Sequence, residues 1–278
     1  MTQGATIERV SGRTLIMGVL NAAPDSFYSP SRVSSPDEAR IQARAMAGDG
    51  ADILDIGGES TRPGSKPIDA AEEQARVLPL LEALCGTGVT ISVDTYRSST
   101  AYEATKLGAT MINDITALRG DPEMAGVIAE SGAECVLMHM QGMPDTMQDE
   151  PQYEDVVDDI GAFFEERIAF ATREGISESK LWLDPGFGFG KTVGHNLTIL
   201  GRLGELKRFG LPLIIGTSNK STIGAVLNAP VNDRMEGTAA TVALAIYNGA
   251  HCVRVHDVKS MARVARMTDA VAGRISID

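Results

Sequence analysis

The sequence predicts an α/β chain of the (β/α)8, or TIM-barrel, class, with residues 1–278 forming one domain. Eight short apolar runs recur along it, amphipathic stretches long enough for crossover helices separate them, and polar residues collect where the runs end. Runs that are apolar almost throughout suit parallel strands covered on both faces, and eight strand–helix units in about 250 residues is the usual size of such a barrel. An open doubly wound sheet is the alternative. It is disfavoured because no glycine-rich dinucleotide fingerprint follows the first run and no Pro-, Gly- or Ser-rich linker divides the chain.

In chain order the runs are LIMGVLN (15–21), ADILDIGG (51–58), TISVDT (90–95), MINDI (111–115), CVLMHM (135–140), KLWLDPG (180–186), PLIIGTSN (212–219) and HCVRVHD (251–257). Between them, PDEARIQARAMAGDG, AAEEQARVLPLLEAL and YEDVVDDIGAFFEERIAFATREG carry helical periodicity. The last opens on acidic residues and closes near Arg173, as the helix dipole favours.

Composition removes several classes of function. A hydrophobic content of 43% is enough for a large core, and a net charge of -12 repels phosphate backbones and anionic lipid surfaces, so neither nucleic acid nor membrane is expected as a partner. Cys85, Cys135 and Cys252 form no C-x-x-C pair, which argues against a disulfide framework and for a reducing compartment. Cys135 and Cys252 each open or follow the opening of an apolar run and read as core packing. The N-terminal MTQGATIERV lacks the apolar stretch of a signal peptide, and no run is long enough to span a bilayer, so a cytoplasmic location is expected.

Asn21, Glu59, Asp94, Asn113, Asp114, His139, Asp184, Ser218, Lys220, Arg254, His256 and Asp257 all fall at or just past the C-terminal end of a run. In a barrel those ends converge on one mouth, where the active sites of this fold lie. Taken singly, each residue also fits a helix cap or a satisfied core group. The carboxylates of Asp94 and Asp184 with the amide of Asn113 suit the N–H edge of a heterocycle; the alternative is an ion pair with Lys220 or Arg254. Phe187 and Phe189 offer a flat apolar wall, and a loop this short is not expected to bury both.

Positive charge is expected at the mouth from Arg62, Lys220, Arg254 and His256. Arg254 and His256, two apart on one strand, share a side and make a seat for phosphate or diphosphate. Ser221 opens the helix after the seventh strand, where backbone N–H groups favour an anion such as a carboxylate, or it is only an N-cap. DPGFGFGK is not a P-loop, because Gly186 and Gly190 have three residues between them rather than four. The four histidines show no H-E-x-x-H spacing.

The segments GVLNAAPDSF, DIGGESTRPG, SVDTYR, INDI, VLMHMQG, DPGFGFGKT followed by HNL, GTSNKS and RVHDV together resemble the dihydropteroate synthase family of the folate pathway, from about Gly18 to Val258. The resemblance implies condensation of 4-aminobenzoate with the diphosphate of 6-hydroxymethyl-7,8-dihydropterin, the step that sulfonamides target. It implies that Asp94, Asn113, Asp184 and Lys220 grip the pterin, with Ile115, Met138, Phe189 and Gly216 around it and Arg254 stacked over the ring. Asn21, Thr61, Arg62, Arg254 and His256 are implied to hold the diphosphate, with Asn21 also on a magnesium ion. Thr61, Pro63, Phe189, Ser218 and Ser221 are implied to shape the aminobenzoate pocket, and Phe27 to close over it. Asp25 is implied to act beside Lys220 and Arg62 at the reacting centre. A homodimer is implied as well.

The chain departs from the family pattern at Ala23, where Thr is usual, at the SPSRV turn, at Thr116 and Ala117 after INDI, and at Asn219, which replaces Arg in the G-x-S-R-K-S motif. Two other readings were weighed. A methyltetrahydrofolate:corrinoid methyltransferase would keep the pterin grip without needing GGESTRPG or RVHDV, and a non-catalytic pterin-binding paralogue is the reading that Asn219 raises.

Overall fold

The computed structural model describes residues 12–22, 33, 35–60, 65, 67–84, 86–142, 144 and 146–277. Each apolar run becomes a strand: β1 Leu15–Asn21, β2 Ile53–Gly57, β3 Thr90–Asp94, β4 Met111–Asp114, β5 Glu134–Met138, β6 Leu181–Asp184, β7 Ile214–Ile215 and β8 Cys252–Val255. They hydrogen-bond in the order β6-β5-β4-β3-β2-β1-β8-β7, all parallel where paired. A parallel bridge between Leu183 and Leu213, with the Leu183 N–H donating to the Pro212 carbonyl at 2.9 Å, joins β6 to the segment entering β7 and closes the ring.

The strands stop short of the apolar runs for local reasons. β6 ends at Asp184 because Pro185 has no N–H to continue the ladder and Gly186 turns to φ 67. β7 keeps two residues of its run, and the chain beyond it reaches a left-handed turn at Asn219, φ 58.

The crossovers carry α1 Pro36–Gly48, α2 Ala70–Leu84, α3 Ser98–Lys106, α4 Met124–Ser131, α5 Val156–Arg173, α6 Val193–Arg202, α7 Ser221–Leu227, α8 Met235–Tyr247 and α9 Val258–Val271. Their starts are written in the sequence. Ser35 caps α1 ahead of Pro36, Asp155 caps α5 by accepting from Val157 and Asp158 N–H groups, and Asp257 caps α9 through Ser260 N–H. Among the described residues, no helix is long and apolar enough to cross a membrane.

The period of two along each strand decides what the barrel holds. Leu15, Met17, Ile53, Met111, Val136, Trp182, Ile214 and Cys252 point inward and pack into one dry cluster that fills the lower lumen. Their neighbours Ile16, Leu54, Ile112, Leu137, Leu183, Ile215 and Val253 point outward and pack with the helices. One step further along the inward rows come Val19, Asp55, Asn113, Met138, Asp184, Gly216 and Arg254, so the lumen turns from apolar to polar within one layer. Cys135 and Cys252 are buried free thiols, as core packing requires, while Cys85 lies outside the described residues.

Candidate active site

That polar layer is the floor of a cavity at the C-terminal mouth. Asn21, Asp94, Asn113, Ile115, Met138, Asp184, Phe189, Gly216, Ser218, Lys220, Ser221, Arg254 and His256 all line it. Asp25, Phe27, Thr61, Arg62 and Pro63, also expected at the site, lie outside the described residues, as does Ala23. Every described residue that the resemblance implies at the site thus reaches one concavity, although the residues come from strands and loops spread over the whole chain.

The two expected carboxylates are held differently. Asp94 takes the ion pair, accepting from Arg254 Nη2 at 3.0 Å, while Asp184 accepts the Gly186 N–H at 2.7 Å and makes no contact ion pair among the described residues. A third carboxylate, Asp55, is fully buried between them. It accepts from Arg254 Nε at 2.6 Å and from Asn113 Nδ2 at 3.2 Å, and its Oδ1 is buried without a hydrogen-bond partner. Asp55 therefore orients both the amide and the guanidinium that face the cavity. Its sequence signal was a charge at an inward position of an otherwise apolar strand, two residues past Ile53.

Burial sets the electrostatics. Desolvation pushes the carboxyls of Asp94 and Asp184 above the ordinary carboxylate range; Arg254 opposes the shift at Asp94, and the Gly186 N–H with Lys220, Arg254 and Lys191 opposes it at Asp184. Desolvation and then the Arg254 charge bring Lys220 down to about 8, with Asp184 and Asp94 pulling it back up. Its ammonium sits 4.1 Å from the centre of the Phe189 ring, a cation–π contact that braces both.

One expectation needs correction. His256 does not add positive charge to the mouth: burial, Arg254 and Lys220 bring it down to about 3, so the imidazole is neutral, and its Nδ1 lies 2.9 Å from Ser218 Oγ. It is a hydrogen-bonding group beside the cation Arg254. Of the two phenylalanines, Phe187 is buried and Phe189 half-buried, in line with a loop too short to bury both.

Three of the polar residues at run ends serve the fold instead. Asp114 accepts from Thr116 and Leu118 N–H groups, Asp257 caps α9, and His139 turns under the rim to meet Lys191. The Asp114 bonds explain how Thr116 and Ala117 replace a glycine-rich pair. Ala117 and Leu118 both take positive φ, 51 and 65, and their carbonyls accept from the buried Arg167 guanidinium.

Asn219 lies on the cavity wall with its N–H bonded to Thr238 Oγ1 at 3.1 Å, and its carbonyl accepts from Arg234 Nη1 at 2.8 Å. Arg234 and Met147 also line the cavity, and sequence reading had not singled out Arg234. After β3, Arg97 joins Glu59, Glu73 and the Ile68 carbonyl, a buried clamp whose only sequence signal is its place in SVDTYR.

For a metal, the described residues contain no group of three or more His, Cys, Asp or Glu side chains able to hold one. The donor available at the mouth is the amide oxygen of Asn21 at the end of β1, a hard oxygen of the kind magnesium takes alongside waters and phosphate oxygens.

Residues 17–256 match the model of a family described as pterin binding enzyme. The dihydropteroate synthase of Bacillus subtilis is 44% identical over 263 residues, covering 94% of this chain and 90% of the relative. Among solved structures, the dihydropteroate synthase of Yersinia pestis in complex with a sulfonamide drug superposes with a TM-score of 0.94 at 41% identity, covering 98% of each chain. The dihydropteroate synthase of Clostridium difficile, crystallised in the presence of pteroic acid, has a TM-score of 0.87 at 45% identity over 94% of this chain and 97% of that one.

Proposed function

The chain belongs to the pterin-binding enzyme family as a dihydropteroate synthase, and from that premise we propose how its residues divide the reaction. The enzyme is a transferase that joins (7,8-dihydropterin-6-yl)methyl diphosphate to 4-aminobenzoate, giving 7,8-dihydropteroate and diphosphate in folate biosynthesis. The carbon–oxygen bond between the pterin methylene and diphosphate breaks, a carbon–nitrogen bond to the arylamine forms, and the amine releases one proton.

The observation that carries the residue assignment is the meeting of Asp94, Asn113, Asp184, Lys220 and Arg254 around one cavity, with Asn113 and Asp184 buried in its floor. Asp94 and Asp184 accept from the N–H edge of the pterin, Asn113 is aimed by Asp55, and Met138, Ile115 and Phe189 flank the ring. Loss of diphosphate leaves positive charge on the pterin methylene, which the two carboxylates stabilise from the cavity floor. Arg254, fixed by Asp55, stays in place as charge moves past it, and His256 donates a hydrogen bond to the departing anion. Lys220 holds the pterin and, beside Phe189, the position of the incoming amine. Ser218 and Ser221 border the aminobenzoate pocket, with Ser221 exposed at the start of α7. Thr61, Arg62, Pro63, Phe27 and Asp25 complete the site in this reading, Arg62 on the diphosphate and Asp25 near the reacting carbon. An arylamine attacks in its neutral form, so no covalent nucleophile and no strong base are required.

Asn21 would hold magnesium together with waters and diphosphate oxygens, and the ion would supply charge neutralisation for the leaving group. The chain further reads as a cytoplasmic homodimer. Exposed Val226, Leu227, Leu244, Tyr247, Met267 and Val271 on α7, α8 and α9 support an apolar subunit contact, which light scattering of the purified protein tests. The function itself is tested by diphosphate release. Release is expected only with both substrates and magnesium present, and release independent of 4-aminobenzoate would refute the reading.

A further inference from the structure

Lys191 is 3% exposed, yet among the described residues its ammonium touches no carboxylate. Its partners are His139 Nδ1 at 2.9 Å, the His139 carbonyl at 3.2 Å and the Phe189 carbonyl at 2.9 Å. A buried cation without a contact counter-ion is costly to keep, so its position needs a reason. The reason lies in what it joins. His139 follows β5, and Phe189 is the aromatic wall of the cavity, carried on the loop that leaves β6.

That loop has no slack against the end of β5. A Cβ on Gly186 would collide with the His139 carbonyl oxygen and one on Gly190 with that of Gln141, and both glycines have positive φ, 67 and 59. Asn196 Oδ1 accepts the Gly188 N–H at 2.8 Å and Tyr153 donates to the Gly190 carbonyl at 2.7 Å, so the loop is fastened on either side of Phe189. Lys191 fastens Phe189 itself. The same ammonium lies 3.3 Å from a Cβ placed on Gly186, the residue whose N–H holds Asp184 Oδ1.

The charged and titratable groups facing this corner are Asp184 and Lys220 around Lys191, Lys220 and Arg254 around Asp184, and Arg119 and Tyr153 around His139. Burial brings Lys191 down to about 7 against the pull of Asp184, and burial with the Lys191 and Arg119 charges brings His139 down to about 2. The imidazole is therefore neutral, and its Nδ1 is a lone-pair acceptor for the ammonium.

We propose that Lys191 is a positioning residue for the pterin grip: its ammonium ties the loop carrying Phe189 to the end of β5 and sits against the Gly186 turn whose N–H holds Asp184. The proposal rests on the reading of Asp184 as a carboxylate that holds the pterin. No bond to substrate is made by Lys191; it acts through its two neighbours.

The test is titration of the full-length protein with 6-hydroxymethyl-7,8-dihydropterin across pH, for wild type, Lys191→Met, Lys191→Gln, Lys191→Arg and His139→Leu. Fluorescence of the single, fully buried Trp182 serves as the check on folding. In the neutral variants the fall of affinity on the acid side is expected to move to higher pH, with binding severalfold weaker on that limb, because Asp184 then takes up its proton more easily. Lys191→Arg is expected to restore the wild-type acid limb. His139→Leu keeps the charge and loses one tie, so the limb stays in place while affinity falls severalfold. A folded Met or Gln variant with an unmoved limb overturns the proposal. If neither folds, wild-type affinity in His139→Leu overturns it. Failure of the wild-type protein to bind this pterin would instead sink the functional reading, and the proposal with it.

Discussion

Replacing Asp184 by Asn separates holding the substrate from holding the fold. Asp184 is 7% exposed and its Oδ1 accepts the Gly186 N–H at 2.7 Å, a bond that the amide oxygen of Asn can keep. The amide nitrogen then occupies the place of the second carboxylate oxygen and points a donor at the donors of the pterin. A hydrogen bond to a charged group contributes about 1.5–3 kcal/mol, so affinity for the pterin is expected to fall by about ten- to a hundredfold or more. Stability should move the other way. Desolvation raises the Asp184 carboxyl in the folded state above its ordinary 3.8, so the folded protein binds that proton more tightly than the unfolded chain does. The stability this group contributes is present at low pH and is lost as pH rises through the raised folded value. At neutral pH the ionised side chain is a burden that Asn removes, and the midpoint of thermal unfolding should be unchanged or higher. Calorimetric titration with the pterin and thermal unfolding followed at Trp182 read the two quantities. Near-wild-type affinity, or an affinity loss that merely tracks a loss of fold, would refute the reasoning.

Arg254→Ala should weaken binding of diphosphate more than of the pterin alone, and should destabilise the fold by about 3 kcal/mol because Asp55 and Asp94 are left buried without their cation. His256→Ala, which removes a neutral imidazole, should cost diphosphate binding only about 1 kcal/mol; equal losses for both variants would contradict the charge assignment. Because burial raises Asp94 and Asp184, pterin binding should release protons increasingly as pH falls below neutrality, which titration in buffers of different ionisation enthalpy detects; buffer-independent heats would show that the grip binds in one protonation state. Asn219→Arg should raise turnover by no more than severalfold, an effect of about 1 kcal/mol that fades with added salt, while losing some stability at a left-handed φ of 58. An inactive wild type made active by that one change would mean that Asn219 marks a lost function.

Much of this was legible in the sequence because the strands carry two signals at once. Their apolar runs set the barrel, and the polar residue at each C-terminal end marks the mouth, so Asp94, Asn113, Asp184 and Arg254 could be assigned to one site from order alone. Three-dimensional neighbours were harder to read. Asp114 and His139 obey the same rule of position yet turn outward, since each directly follows an inward residue, Asn113 or Met138, and the period of two puts it on the opposite face. Asp55 was passed over because it sits inside a run rather than at its end, although its inward parity puts it in the floor layer. Lys191 hides in DPGFGFGK as an apparent loop cation, and only the folded loop reveals that it is buried. The neutrality of His256 comes from its burial first and then from the Arg254 and Lys220 charges, a setting that no local motif records.

The most direct test of the account is to incubate the purified protein with (7,8-dihydropterin-6-yl)methyl diphosphate, 4-aminobenzoate and magnesium, and to quantify products by chromatography with mass detection. Equimolar 7,8-dihydropteroate and diphosphate are expected from the wild type, and a rate at least about tenfold lower from folded Asp184→Asn. No dihydropteroate from the folded wild type, or an undiminished rate in the variant, would contradict it.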